Sequence, residues 1–246
     1  MHADRDEVLR NLEEIRGRIA AAAARAGREP DDVLLVAAAK KVPVEPISWA
    51  IEAGVRAVGE NYVNELREKR AQLGDVSWHF IGTLQSSTAH HVADEADVVE
   101  TVAGERAARR LAGRAARAAH TIDVLIEVDL TGERTGVAPE DVVTFADLVA
   151  SLEGLRLTGL MTLPPMPEHP EDSRPHFAKL QELRRRVQER HPEVLESSMG
   201  MSLDYEVAVE EGATMVRIGT ALFGPRETEP QGPGSTRPPR GREEPG

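Results

Sequence analysis

The sequence predicts a (β/α)₈ barrel of the TIM type, preceded by one extra N-terminal helix. Eight short β-type runs alternate with stretches of helical periodicity, and this alternation indicates a parallel sheet with crossover helices. The chain has 246 residues, 40% of them hydrophobic, which is enough for one large core of the usual barrel size. A doubly wound open sheet is the main rival, and the count of eight units favours closure into a barrel.

The elements follow one another in a regular order. Val8, Leu12, Ile15 and Ile19 recur at helical spacing and Gly27 follows them, so we assign residues 1–28 to a helix that packs on the barrel. Residues 29–226 form the predicted barrel, and residues 227–246, rich in Pro and Gly, form a predicted disordered tail. The predicted strands cover 33–38, 57–60, 78–82, 98–102, 122–129, 155–163, 195–198 and 215–218. Helices are predicted at 44–54, 62–73, 104–119, 139–152 and 172–190.

Composition excludes several classes of function. Lys and Arg number 30 against 42 Asp and Glu, and the resulting net charge of -12 should repel nucleic acid and anionic lipid. The absence of cysteine excludes disulfides, thiolate catalysis and Cys-type metal sites. His90 and His91 are adjacent and would point apart on a helix, so we assign no metal. No apolar run reaches the roughly 20 residues that span a bilayer. We expect a cytoplasmic monomer without membrane or nucleic-acid partners.

The last two strands are followed by residues suited to a phosphate group. In α/β barrels the loops after the strands form the active face, and phosphate commonly binds after strands 7 and 8. Ser202 lies in the segment SMGMS, and Gly219 and Thr220 lie in RIGT. Their backbone N–H groups and hydroxyls could hold a phosphate. The sequence therefore predicts a phosphorylated ligand.

Lys40 ends the apolar run VLLVAAAK, at the mouth of the predicted first strand. A desolvated lysine amine there could form a Schiff base, but a strand-end lysine can also reach out to solvent. Alternate side chains of a strand point to opposite faces, and in this strand the residues on both faces are apolar. The pattern therefore does not decide whether Lys40 or Lys41 points inward. A phosphosugar enzyme that uses Lys40 as a Schiff-base residue is also compatible with these residues.

Several longer strings resemble one family. LLVAAAKKVPVEPI, AVGENYVNE, WHFIGTLQS, GLMTLPP and SMGMSLDYEVAVEEGATMVRIGTALFGPR, in this order, are similar to the YggS/PROSC family of pyridoxal phosphate homeostasis proteins. The resemblance extends from the first strand to Arg226. The barrel of this family is similar to the N-terminal barrel of alanine racemases, so the resemblance implies a fold-type III protein that binds pyridoxal 5'-phosphate (PLP).

The resemblance also implies a set of site residues. The cofactor lysine of the family falls on Lys40, and the remaining counterparts are the pocket residues Asn61 and Met201, the phosphate ligands Ser202, Gly219 and Thr220, and Arg217, which faces the pyridine nitrogen. The chain departs from the family at Ala39 and Lys41, where the family often has hydroxyl residues, at Ser87–Thr88 and at Arg134–Thr135. These departures concern the rim of the site.

The implied function is PLP homeostasis. The family role is to hold the cofactor as an internal aldimine on the lysine and to buffer it or deliver it to PLP-dependent apoenzymes. The racemases add a tyrosine from a separate C-terminal domain as acid and base, and this sequence has no counterpart of that domain. We therefore expect no catalytic residue, and we interpret Tyr62 as an aromatic edge of the pocket. An amino-acid racemase or another fold-type III enzyme is the alternative.

Overall fold

The computed structural model describes residues 3–225 and contains a closed barrel of parallel strands in sequence order. This closure confirms the (β/α)₈ fold and excludes the open doubly wound sheet. The predicted tail at 227–246 lies outside the described residues. The strands are β1 Leu34–Ala38, β2 Ala57–Glu60, β3 Ser77–Phe80, β4 Val98–Val102, β5 Ile122–Val128, β6 Leu155–Thr162, β7 Glu196–Ser198 and β8 Met215–Ile218.

The helices cover the outside of the barrel. Six of them lie where the sequence predicts helices: α1 Arg5–Arg25, α2 Val44–Glu52, α3 Val63–Arg70, α5 Glu105–Arg117, α6 Val142–Ala150 and α7 Arg174–Gln188. Three shorter helices have no predicted counterpart: α4 Ala89–Glu95, α8 Tyr205–Glu210 and α9 Thr220–Phe223. Among the described residues, no helix is both long and apolar enough to cross a bilayer.

The strands separate two apolar regions. One lies between the strands and the outer helices and contains most of the buried side chains. The other lies inside the barrel and consists of a compact group of six buried residues: Val36, Ala57, Val98, Leu125, Met161 and Met215. Because side chains alternate along a strand, residues two positions further toward the strand end also point inward. This rule places Glu100, Glu127 and Arg217 above the apolar layer.

Helix α1 packs against α2, α8 and α9. The side chain of Asp4 accepts a hydrogen bond from the Glu7 backbone N–H at 2.9 Å and caps the start of the helix. Ion pairs such as Arg25–Glu210, at 2.7 Å, join α1 to α8 at the surface, where they add little stability. The buried apolar face of α1 therefore provides most of the attachment to the barrel.

Candidate functional site

A cavity of about 470 Å³ opens at the carboxyl ends of the strands. It is lined by all seven residues that the sequence resemblance implies for the site: Lys40, Asn61, Met201, Ser202, Arg217, Gly219 and Thr220. These residues come from the ends of β1, β2, β7 and β8. Since neighbouring strands of a closed barrel end at the same face, residues 180 positions apart in the chain meet here.

The register of β1 distinguishes Lys40 from Lys41. Val36 belongs to the group inside the barrel, whereas Ala37 and Ala39 belong to the outer region. Lys40 continues the inward set and lines the cavity, while Lys41 is exposed and has a left-handed backbone with φ of 58°. The two lysines form a turn directly after β1. Lys40 is therefore the lysine that reaches the cavity.

The two loops that could hold a phosphate are joined to each other. The hydroxyl oxygen of Ser202 accepts a hydrogen bond from the backbone N–H of Ala221, at 3.2 Å, directly after Thr220. Asp204 is buried and accepts hydrogen bonds from the Met201 N–H, at 2.7 Å, and from the Ser173 hydroxyl, at 2.6 Å. The carboxylate of Asp204 thus fixes the turn that carries Ser202, although it also borders the cavity.

Arg217 lies at the floor of the cavity, and its side chain is 3% exposed. Its Nη1 donates a hydrogen bond to the Ser198 hydroxyl and its Nη2 donates to the Thr162 carbonyl oxygen, at 2.9 Å. Ser198 in turn donates to Glu100, which also bonds the Nδ1 of His79 at 2.7 Å. This buried network fixes the direction of the guanidinium before any ligand binds.

The buried glutamates of β4 and β5, Glu100 and Glu127, differ in charge state. Burial opposes ionisation of Glu100, but hydrogen bonds and charges from His79, Arg217 and Ser198 outweigh it and hold its pKa below the ordinary value. Burial raises the pKa of Glu127 to about 7, because the nearby charges of Arg217 and Arg134 compensate only in part. Glu100 is therefore a carboxylate at neutral pH, whereas Glu127 exchanges a proton near pH 7.

A second cavity of about 510 Å³ borders the first and shares Lys40 and Asn61 with it. Tyr62 lies beside it, half exposed, with its ring centroid 5.2 Å from the Lys40 ammonium. Tyr62 is thus an aromatic residue of the second cavity, next to Lys40, and does not line the first one. A Cβ at Gly82 would lie 2.1 Å from the Asn61 carbonyl oxygen, so only glycine allows the loop after β3 to contact the end of β2.

The sequence reasoning did not identify Glu100, Glu127 or Ser198 as parts of the site. A signal for the two glutamates was present, since each interrupts an apolar strand, as VVETV and VLIEV. A charged residue inside such a run must find a buried partner. His90 and His91 are exposed, and the described residues contain no group of side chains that could hold a metal.

Comparisons with known proteins identify the family of the chain. The family described as alanine racemase, N-terminal domain, matches residues 10–227. The pyridoxal phosphate homeostasis protein of Aquifex aeolicus is 41% identical over 221 residues, which cover 88% of this chain and 97% of that protein. The pyridoxal phosphate homeostasis protein of Escherichia coli K12 is 36% identical over 236 residues, which cover 90% of this chain and 98% of that protein.

Solved structures give the same picture. PipY of Synechococcus elongatus PCC7942, with PLP bound, is 31% identical and superposes with a TM-score of 0.78 over 88% of this chain and 100% of that chain. Alanine racemase of Clostridium difficile 630 has a TM-score of 0.72 at 17% identity, which shows a common fold. The chain therefore belongs to the alanine racemase N-terminal domain family and, within it, to the pyridoxal phosphate homeostasis proteins.

Proposed function

We propose that this protein binds PLP covalently through Lys40 and holds it for buffering or delivery. The observation that carries the proposal is the cavity in which an inward-facing lysine, two linked hydroxyl-bearing loops and a buried guanidinium surround one space. The relatives named for PLP homeostasis and the PLP-bound neighbour support the choice of ligand.

The residues present fit the chemistry of PLP. Ser202, Gly219 and Thr220 offer hydroxyls and backbone N–H groups to the phosphate. Arg217 would face the pyridine nitrogen, and the apolar Met201 and Ala38 would contact the ring. When bound, PLP supplies an aldehyde that combines with the lysine amine, with loss of water. The volume of about 470 Å³ lies within the range of small-molecule sites.

Arg217 is compatible with a carrier but does not by itself distinguish it from an enzyme, because the racemases that the family resembles have the same arginine at the pyridine nitrogen. A guanidinium can only donate hydrogen bonds, so the ring nitrogen opposite it stays unprotonated. The network of Ser198 and Glu100 keeps Arg217 in this role. An unprotonated ring withdraws electrons weakly, and amino-acid chemistry on PLP depends on that withdrawal.

The groups near Lys40 also support a carrier. The chain contains two tyrosines. Tyr205 is buried below Gly200 and borders neither described cavity, which leaves Tyr62 as the phenol near the lysine. Tyr62 is 49% exposed and lies at the edge of the second cavity, so it is open to solvent. We therefore propose that the protein has no catalytic residue. In this proposal it acts as a cytoplasmic monomer, and PLP-dependent apoenzymes receive the cofactor from it.

The absorbance spectrum of the protein incubated with PLP tests the proposal. We expect a visible band that survives gel filtration, that Lys40→Ala abolishes and that Lys41→Ala retains. Borohydride reduction followed by peptide mass spectrometry should place the modification on Lys40. A band retained in Lys40→Ala would refute the assignment.

The racemase alternative has its own assay. Loss of optical activity of alanine and of several other amino acids should be undetectable in the PLP-loaded protein. Turnover that Tyr62→Phe removes would favour the enzyme and would overturn the carrier proposal.

A further inference from the structure

The turn that carries Lys40 is held on both sides by side chains of α3. Lys69 donates a hydrogen bond from its Nζ to the carbonyl oxygen of Ala39, at 2.8 Å. Glu65 accepts a hydrogen bond from the backbone N–H of Lys41, also at 2.8 Å. The peptide groups immediately before and after Lys40 are thus bonded to the same helix.

Lys69 is itself buried, with its side chain 9% exposed, and all three of its N–H donors have acceptors. Besides Ala39 it donates to Glu60 at 2.6 Å and to Glu65 at 3.0 Å. Glu60 is fully buried at the end of β2, and its second oxygen, Oε2, has no hydrogen-bond partner. Burial raises the pKa of Glu60 to about 7, although the Lys69 ammonium favours its ionised form. The three side chains form one buried hydrogen-bonded cluster under the Lys40 turn.

Stability alone does not explain such a cluster. Removing ammonium and carboxylate groups from water is costly, and replacing a buried ionic cluster by apolar side chains is often neutral or stabilising. An apolar residue at position 69, however, could not bond the Ala39 carbonyl oxygen. The buried ammonium therefore does something for the turn that packing cannot do.

The turn needs such support because of its backbone conformation. Lys41 has a φ of 58°, in the left-handed region that residues with a side chain adopt only at a cost in free energy. A turn released from α3 would relax toward a right-handed conformation. Relaxation would rotate the Cα–Cβ direction of Lys40, whose flexible side chain already has access to solvent.

We propose that Glu60, Glu65 and Lys69 are positioning residues that direct the Lys40 amine into the cofactor cavity. This inference rests on the proposed function of Lys40. Lys69 acts on the turn directly, through the Ala39 carbonyl oxygen, and Glu65 acts through the Lys41 N–H. Glu60 holds the Lys69 ammonium in place.

An effect on the position of Lys40 can be distinguished from an effect on phosphate binding by comparing the affinities for two ligands. PLP uses both the phosphate loops and Lys40, whereas pyridoxine 5'-phosphate has an alcohol in place of the aldehyde and uses the loops alone. We expect Lys69→Met to weaken PLP binding at least tenfold and to slow borohydride trapping on Lys40 by a similar factor. Affinity for pyridoxine 5'-phosphate should change less than twofold.

The matched control is Arg67→Met on the same helix. It removes an ion pair with Glu95, at 2.6 Å, that does not touch the turn, and both affinities should stay within twofold of wild type. Equal losses of affinity for both ligands in Lys69→Met, or no loss for either, would overturn the inference.

Glu65 provides a second test, because it is partly exposed and its variants are less prone to unfold. Glu65→Ala should lower the rate of trapping on Lys40, and Glu65→Gln should restore most of it, since the amide oxygen can still accept the Lys41 N–H. A Glu65→Ala protein that traps PLP at the wild-type rate would contradict the inference. If wild type itself failed to bind PLP, or Lys40→Ala kept the visible band, the proposed function would fail first, and the inference with it.

Discussion

Titration of Glu127, near the carboxyl end of β5, should make the free energy of unfolding depend on pH. Glu127 is 7% exposed, and burial raises its pKa from the ordinary 4.5 to about 7. The charged groups that act on it are Arg217 and Arg134, which favour ionisation, and Asp129, which opposes it. Glu127→Gln keeps the shape of the side chain and removes the titration.

The sign follows from proton binding. Between pH 4.5 and 7 the folded state binds more protons at Glu127 than the unfolded state, so the contribution of this group to the free energy of unfolding falls as pH rises. A shift from 4.5 to about 7 corresponds to about 3.4 kcal/mol at 1.36 kcal/mol per unit. About 2.5 kcal/mol of this total falls between pH 5 and pH 8. From pH 5 to pH 8, the free energy of unfolding of Glu127→Gln should therefore rise by about 2.5 kcal/mol relative to that of wild type.

Urea unfolding of the cofactor-free proteins at pH 5, 6, 7 and 8 measures this difference. Any effect of the substitution on packing is the same at each pH and cancels when the differences are compared. Glu140→Gln, at an exposed position before α6, makes the same chemical change at the surface and serves as the control. A Glu127→Gln difference that is constant, or that falls as pH rises, would refute the reasoning.

Two further substitutions test the packing and the buried network of the site. Gly82→Ala would place a Cβ 2.1 Å from the Asn61 carbonyl oxygen, and we expect a loss of about 1–3 kcal/mol in the free energy of unfolding together with weaker PLP binding. Gly74→Ala meets no atom within 4 Å and should change stability by less than about 0.5 kcal/mol; equal urea midpoints for the two variants would contradict this account. Ser198→Ala removes the hydroxyl that bonds Arg217, so urea unfolding should show a loss of about 1–3 kcal/mol, and an unchanged free energy would mean that the network is not required.

The alternation of apolar runs and amphipathic stretches was sufficient to predict the barrel. Each observed strand lies within two residues of its predicted bounds at either end. Strands such as β1 and β5 stand out as largely apolar runs between polar helices, whereas β7, with the sequence ESS, was located by its place in the β/α alternation. The three helices of four to seven residues could not be predicted in this way. Such helices are too short to display a period of 3.6 residues.

The orientation of Lys40 could not be predicted from the strand pattern, because parallel strands of a barrel are buried on both faces. Both faces of β1 are apolar, one toward the barrel interior and one toward the helices, so alternation is not visible in the sequence. Only the family resemblance favoured Lys40 over Lys41. The buried network was out of reach for another reason: Glu100 bonds His79, 21 residues away, and Ser198, 98 residues away, and no local pattern encodes such distances.

The pairing of β1 with β8 joins the two ends of the barrel sequence. Val36 lies beside Arg217 in this pairing, so the strand that leads to Lys40 and the strand that carries Arg217 are neighbours only after the sheet has closed. A ligand bound to both strands therefore acts as a non-covalent cross-link over the β1–β8 seam that closes the barrel. By linkage, PLP should raise the free energy of unfolding in proportion to the logarithm of its concentration, and the amides of β1 and β8 should gain the most protection from hydrogen exchange. The PLP-loaded and cofactor-free forms would then differ in how often the barrel opens. The cofactor-free form should therefore be degraded faster by proteases that cleave unfolded chains.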